Sequence, residues 1–405
     1  MKGIARLMEL FLFSIILICL IIILFDAVPA FHTWVQRIHI GRYTNFYEWN
    51  QAISKKGIKW LSKTPKIKVT DQTRLVLIDM LKGNYSKDAI QHWQEAALLL
   101  GFSEDTDLKN DLVKRKAIIQ YLNQKFNSDG SWIRKPQYVD AAILSYAIMK
   151  LDFIDSDKYK PAFDETLNLI LSHVGEDGTV VYRKSMIKYR YVDTIGFICP
   201  FLIKYGIKYK NEECIKLAVK QLQIFSEFGI TNTHRLPFHV YHIDNKVPLG
   251  LMGWGRGLGW YAIGLIDAWD ELPDDHILKP GLEVQIVCFA REALKYQNNN
   301  GSWTWTVTRT ETRADSSATA TLGWFMRKAT KINAISNECS ASTEKAISYL
   351  MQVTRKNGAV DYSQGDTKDI GVYSTLFDIL PFTQGFAIRL VNSYKRNVKI
   401  GADSH

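Results

Sequence analysis

Two aspartates stand behind the same dipeptide, in Tyr138-Val139-Asp140 and Tyr191-Val192-Asp193, and they are 53 residues apart. Each opens an apolar segment, "AAILSYAIMKL" in one case and "TIGFICPFLIKYG" in the other. Carboxyl groups that share a pocket raise one another's pKa, and this keeps one of them protonated and able to donate near neutrality. Aspartate at a helix start is also a good N-cap, with its charge matched to the helix dipole. Either reading suits each aspartate taken alone. Between Trp254 and Trp260 the run "WGRGLGW" packs three glycines, two tryptophans and Arg256 into seven residues. Indole faces stack on sugar rings, guanidinium pairs bidentately with carboxylate, and glycine lets backbone approach a ligand. The alternative is tight packing at a helix entry, with Arg256 as a structural ion-pair partner. Just upstream, "LPFHVYHID" offers His239 and His242, and Trp303 and Trp305 fall on one face of the extended piece "GSWTWTV", as core or as a sugar platform.

For these residues to meet, distant segments must converge, and the chain has a repeat that does this. Beyond about residue 45 the apolar residues recur at three- and four-residue intervals, as in "DAIQHWQEAALLL" and "FDETLNLILSHV". Short extended pieces follow Asp-Gly or Asn-Gly at "SDGSW", "EDGTVVY", "NNGSWTWTV" and "KNGAVDY". Glycine takes positive φ without penalty, so each reads as helix, tight turn, short strand, next helix. Apolar helices are expected to begin near 86, 140, 193, 256, 315 and 382. Helices apolar nearly all round must be buried all round, and the amphipathic ones between them must lie outside. The expected fold is all-α, an (α/α)6 toroid of six helical hairpins, with an open solenoid of the same hairpins as the other solution. In a toroid the inner helices start at one end, so Asp140, Asp193, the 254–260 segment, Asp315 and Gln384 line one basin.

The 405 residues are 47% hydrophobic, enough for a large core, and no Pro/Gly/Ser-rich linker divides them. The net charge of +10 points to an anionic partner. Nucleic acid is not expected, because no dense Lys/Arg cluster or zinc-finger spacing is present. Five cysteines without metal-ligand spacing imply neither a metal nor an obligatory disulfide, and no cofactor is expected. At the N-terminus Lys2 and Arg6 precede an uncharged run from Leu10 to Phe25, roughly 16 residues or about 24 Å of helix. It reads as a signal anchor or signal peptide, with Val28-Pro29-Ala30 a poor cleavage site. Positive charge ahead of the run keeps the N-terminus inside, so the large domain is membrane-anchored and extracytoplasmic, or secreted. The expected divisions are 1–30 as anchor or signal, 31–44 as a juxtamembrane segment, 45–397 as the catalytic domain and 398–405 as a tail.

The motifs "YVDTIGFICPFLIKYG", "WGRGLGW…ELP", "DSSATAT" and "PFTQGFAIRLV", in this order, resemble the bacterial unsaturated glucuronyl and rhamnogalacturonyl hydrolases over roughly residues 45 to 397. The resemblance implies a hydrolase that removes an unsaturated uronic acid from the non-reducing end of lyase-generated acidic oligosaccharides by hydrating the C4=C5 bond. It implies Asp193 as general acid/base and Asp140 as a residue that holds sugar hydroxyls and tunes Asp193. Arg256 and a histidine of the 238–244 loop, His239 in preference to His242, would position uronate and water, with Trp254 and Trp260 as walls. Leu258 stands where the family commonly has asparagine, and Asp315 where glutamate is usual. Two other functions compete: a conventional two-carboxylate glycosidase using Asp140 and Asp193, and a non-catalytic surface protein that binds an acidic glycan.

Overall fold

The computed structural model describes residues 2–65, 67, 71–83, 91–231 and 233–402. The first helix, α1, runs unbroken from Lys2 to Arg37 with Pro29 inside it, so the expected boundary at residue 30 falls within a helix. Its apolar stretch is long enough to cross a membrane, and none of it is buried.

Six inner helices follow: α4 (His92–Ser103), α6 (Ala141–Met149), α8 (Val192–Tyr209), α10 (Gly255–Glu271), α12 (Ser316–Ala329) and α14 (Pro381–Ala402). The expected start near residue 86 lies outside the described residues, and α4 is described from His92. Each inner helix packs on the next in chain order, and α14 returns to α4. The ring is closed, which rules out the open solenoid. Burial explains the sequence pattern: α6 is buried at all nine positions and α12 at all 14. The outer helices are α2 (Phe46–Ser62), α5 (Leu112–Lys125), α7 (Lys160–Leu171), α9 (Glu212–Phe228), α11 (Lys279–Leu294) and α13 (Ser336–Gln352). On α7 the inward face is Phe163, Leu167 and Ile170, the spacing of one helical stripe. A short helix α3 (Val76–Leu81) rests on α1.

The hairpins are joined as the glycine signals require. Gly130, Gly178, Gly301 and Gly358 all have φ between 71° and 90°. Each donates its amide three residues back, to Asn127, Gly175, Asn298 and Arg355 at 2.8–3.0 Å. One turn, used four times, brings the chain from an outer helix to the basin end. Small sheets stiffen that end: β1 (Tyr189–Tyr191) pairs antiparallel with β2 (Val240–His242), β2 with β3 (Pro248–Leu249), and β4 (Ser363–Gln364) with β5 (Phe377–Asp378).

The opposite end is closed by buried charge. Arg389 Nη1 lies 2.6 Å from Asp267, both about 1% exposed, and its guanidinium covers the Trp324 ring at 3.8 Å. Around this pair Glu271 bridges Lys150 and Lys204, and Asp270 holds Lys328. A buried pair contributes little net stability, but removing one member strands the other. Arg389→Met should therefore cost about 3–5 kcal/mol, read as a lowered urea midpoint at unchanged slope. A loss below about 1 kcal/mol would mean that Asp267 is relieved by protonation or water.

Candidate active site

The β1–β2 ladder places the first two site residues. Tyr191, the last residue of β1, pairs with Val240 of β2, and the amide of Val192 donates to the carbonyl of His239 at 2.9 Å. The chain then turns directly into α8, so Asp193 sits in its first turn with His239 alongside. His239 Nε2 is 3.5 Å from Asp193 Oδ2. On its other side His239 Nδ1 is 3.2 Å from the Tyr373 hydroxyl, which accepts the Leu251 amide at 2.8 Å. Burial pushes Tyr373 up to about 12, so it keeps its proton. Tyr373 and Asp193 thus flank the two ring nitrogens of His239 and hold the imidazole toward the pocket. Asp193 caps no amide and its Oδ2 has no hydrogen-bond partner, so the capping reading does not describe it.

Asp193, His239, Trp254, Arg256 and Trp260 line one pocket. Trp254 and Trp260 are nearly sealed: each is 1% exposed. Trp254 donates from Nε1 to Gln364 at 2.9 Å and lies against His239, while Trp260 is wedged among Trp93, Phe197 and Phe382. Arg256 differs from expectation. Its guanidinium donates to the carbonyls of Gln364 and Gly365, both at 2.7 Å, and to Thr367 at 3.1 Å. These bonds hold the 363–369 loop, which forms the far wall of the pocket, and they occupy donors that a substrate carboxylate would need. The glycines of this motif also serve packing: a Cβ on Gly255 would stand 2.7 Å from the Thr304 carbonyl. Leu258 is fully buried and lines no part of the pocket.

Asp140 is set back from the pocket. It is 2% exposed, does not line the pocket and makes no cap on α6. Neither carboxyl oxygen has a partner at full hydrogen-bond geometry. Burial raises its pKa to about 7, with the nearby amides of Trp93 and His92 pulling back and the charge of Glu95 adding. Tyr182 links the two aspartates: burial raises its pKa, and the charges of Asp140 and Asp193 both raise it further. The other basin expectations resolve as structural. Asp315 caps α12 through the amides of Ser317 and Ala318 and also takes the Gln364 amide, and Gln384 is spent on Val360, Ile53 and Gly358. His242 pairs across from Tyr189, outside the pocket. Trp303 is core, and Trp305 is half-buried near Tyr373.

The pocket lining also includes residues that the sequence reading does not reach, among them Tyr182, Arg183, Asp366 and Lys368. For Arg183 there was a signal, since Arg134-Lys135 and Arg183-Lys184 recur between the glycine turn and Tyr-Val-Asp. Asp366 is pushed above the usual carboxylate range by burial, with Arg256 opposing and the charge of Asp193 adding. It follows β4 in a loop without periodicity, which left nothing to find it by. Among the described residues no three His, Cys, Asp or Glu side chains are grouped to hold a metal.

The model of glycosyl hydrolase family 88 matches residues 66–395. The chain belongs to that family. Solved structures agree on the fold of this family 88 hydrolase. A possible glycoside hydrolase family 105 member from Salmonella enterica superposes with a TM-score of 0.72 at 17% identity, covering 88% of this chain and 96% of that one. Another, from Klebsiella pneumoniae, gives 0.73 at 16%, covering 87% and 93%. The unsaturated glucuronyl hydrolase of Bacillus sp. GL1 gives 0.63 at 13%, covering 86% and 96%. No curated protein sequence matches.

Asp140 makes the stability of the hydrolase pH-dependent. Folded, it holds a proton to about pH 7, which the unfolded chain releases near pH 4. Stability therefore falls as pH rises through that window. Asp140→Asn should abolish this fall and exceed wild type by on the order of 3 kcal/mol at pH 8, while matching it at pH 4. Parallel stability curves for the two proteins would show that Asp140 is not protonated in the fold.

Proposed function

We propose that this family 88 hydrolase removes a C4=C5 unsaturated uronic acid from the non-reducing end of acidic oligosaccharides, with Asp193 as the proton donor. The observation that carries the reading is a pocket carboxylate with one unpartnered oxygen, backed by an oriented histidine. Asp193 delivers a proton to C4, and water, guided by His239 and the returning carboxylate, adds at C5. The product is a hemiketal at C5. Its ring opens to the 5-keto sugar, leaving a hemiacetal at C1 that expels the rest of the chain as an alcohol. Only one proton donor is needed. The conventional alternative needs Asp140 as a second carboxylate in contact with the sugar, whereas Asp140 is 2% exposed and does not line the pocket.

Arg183 is the residue we assign to the uronate carboxylate, in place of Arg256. It lines the pocket, its guanidinium lies over the Tyr182 ring at 5.1 Å and it feels the charge of Asp193, whereas Arg256 is engaged with loop carbonyls. Trp254 and Trp260 act as walls. The net charge of +10 suits an acidic substrate. For location, we propose that α1 remains as an anchor, with Lys2 and Arg6 on the cytoplasmic side and the toroid outside.

The test is a panel of lyase-generated and saturated oligosaccharides, followed by loss of ultraviolet absorbance from the conjugated bond and by mass gain of one water. Wild type should turn over only the unsaturated set, and Asp193→Asn should lose at least about 10³-fold in kcat. Arg183→Ala should lower kcat/KM by about 10- to 100-fold, mostly through KM. Cleavage of saturated glycans, or full activity of Asp193→Asn, overturns the assignment.

A further inference from the structure

Residues 71–82 pack on the apolar N-terminal helix and are tied to the pocket at their other end, and neither role belongs to the toroid. Asp26 is the first charged residue after the apolar run of α1. Its carboxylate accepts the amides of Leu75 and Val76 at 2.6 and 3.0 Å, which seats the start of α3 on α1 at that level. On α3, Val76 and Asp79 turn inward, while Leu75 is 51% and Leu81 81% exposed, flanked by exposed Arg74 and Lys82. Eleven residues on, Arg37 ends α1 with a two-pronged bond to the buried Asp361, at 2.7 and 2.8 Å, and a third to the Phe377 carbonyl. This leaves about 16 Å of rigid helix between Asp26 and the toroid.

We infer that residues 74–82 are a membrane foot: their leucines enter the lipid interface and Arg74 and Lys82 meet anionic headgroups. The inference rests on the anchored reading proposed above. If the run from Leu10 to Phe25 spans the hydrocarbon, Asp26 lies at its edge and α3 falls within a headgroup layer about 5–8 Å thick. Apolar side chains with basic neighbours suit that layer. In water, two bare leucines beside a polar surface have no such partner. The foot is also tied to the pocket. Asp71 accepts from Ser374 at 2.6 Å and pairs with Lys368 at 3.4 Å, and Lys368 lines the pocket. Docking therefore fixes the far wall of the pocket as well as the attitude of the toroid, whose mouth is held within a short distance of the bilayer.

The experiment uses the full chain in nanodiscs containing anionic lipid, spin-labelled at one cysteine at a time. The half-buried Cys288 is replaced by serine, and Cys19 likewise except where it carries the label. A nitroxide on Cys19 reports insertion of α1, one on Leu81→Cys reports the foot, and one on Ile277→Cys, 88% exposed beyond the far end of α10, is the aqueous control. The expected result is more frequent collision with oxygen than with an aqueous nickel chelate at positions 19 and 81, and the reverse at 277. The difference at 81 should fall when anionic lipid is replaced by neutral lipid, and Arg74→Gln with Lys82→Gln should lower it in anionic lipid and remove its dependence on lipid charge. A label at 81 that collides like the one at 277, while 19 is lipid-exposed, overturns the foot and leaves the anchor standing. Aqueous behaviour at 19 as well removes both.

Discussion

The molecule depends on a contact that has no room for a side chain. Where α14 meets α4 and the ring closes, a Cβ on Gly385 would fall 2.5 Å from the Leu98 amide, and one on Gly101 would fall 2.6 Å from the Gly385 carbonyl. The first and last inner helices approach backbone to backbone, and every other inner helix then has two neighbours. Without this closure α6 and α12, buried at every position, would expose apolar surface to water. Closure is also what sets helices separated by up to 290 residues around a single mouth.

From that frame the site is built by short-range devices. The β1–β2 ladder sets His239 beside Asp193, and Tyr373 orients the histidine from a loop about 130 residues later. Arg256 and Asp315 each grip the β4 segment, one at the Gln364 carbonyl and one at its amide. Two residues that read as substrate-binding or basin-lining types thus hold the strand from which the pocket wall extends. The far wall is therefore as much a product of α10 and α12 as of its own sequence.

Much of this was legible in the residues. The four glycine turns and the all-round apolar helices point to the toroid because both are local properties that the closed ring uses unchanged. Asp193 stood out because it heads a helix whose start the repeat dictates, and His239 was preferred to His242 through the family resemblance. Asp140 shows the limit. It shares a motif and a repeat position with Asp193, yet the backbone at Asp140 is already helical, whereas α8 is entered from a strand. One carboxyl lies near the amides of His92 and Trp93 at the start of α4, and the other lines the pocket. Arg256 and the three motif glycines were ambiguous for a different reason, since their chemistry suits a ligand and a loop equally and sequence spacing does not place the loop. Asp366 and Lys368 lie in an aperiodic loop, where sequence spacing carries no geometric information.

The six inner helices run parallel, which seldom happens when hairpins pack in pairs, because neighbours usually cancel one another's dipoles. Here the amino ends all converge on the mouth, and the carboxyl ends converge on the buried charge cluster around Arg389, Lys328, Lys150 and Lys204. Each amino end carries roughly half a positive charge, so the peptide bonds themselves give the mouth an attractive field for anions. That field has no side chain to titrate, and it persists at any pH at which the ring stays closed. The basic residues packed at the other end answer the converged carbonyl dipoles, so the lysines and arginines of the cluster belong to the same balance as the mouth they never touch.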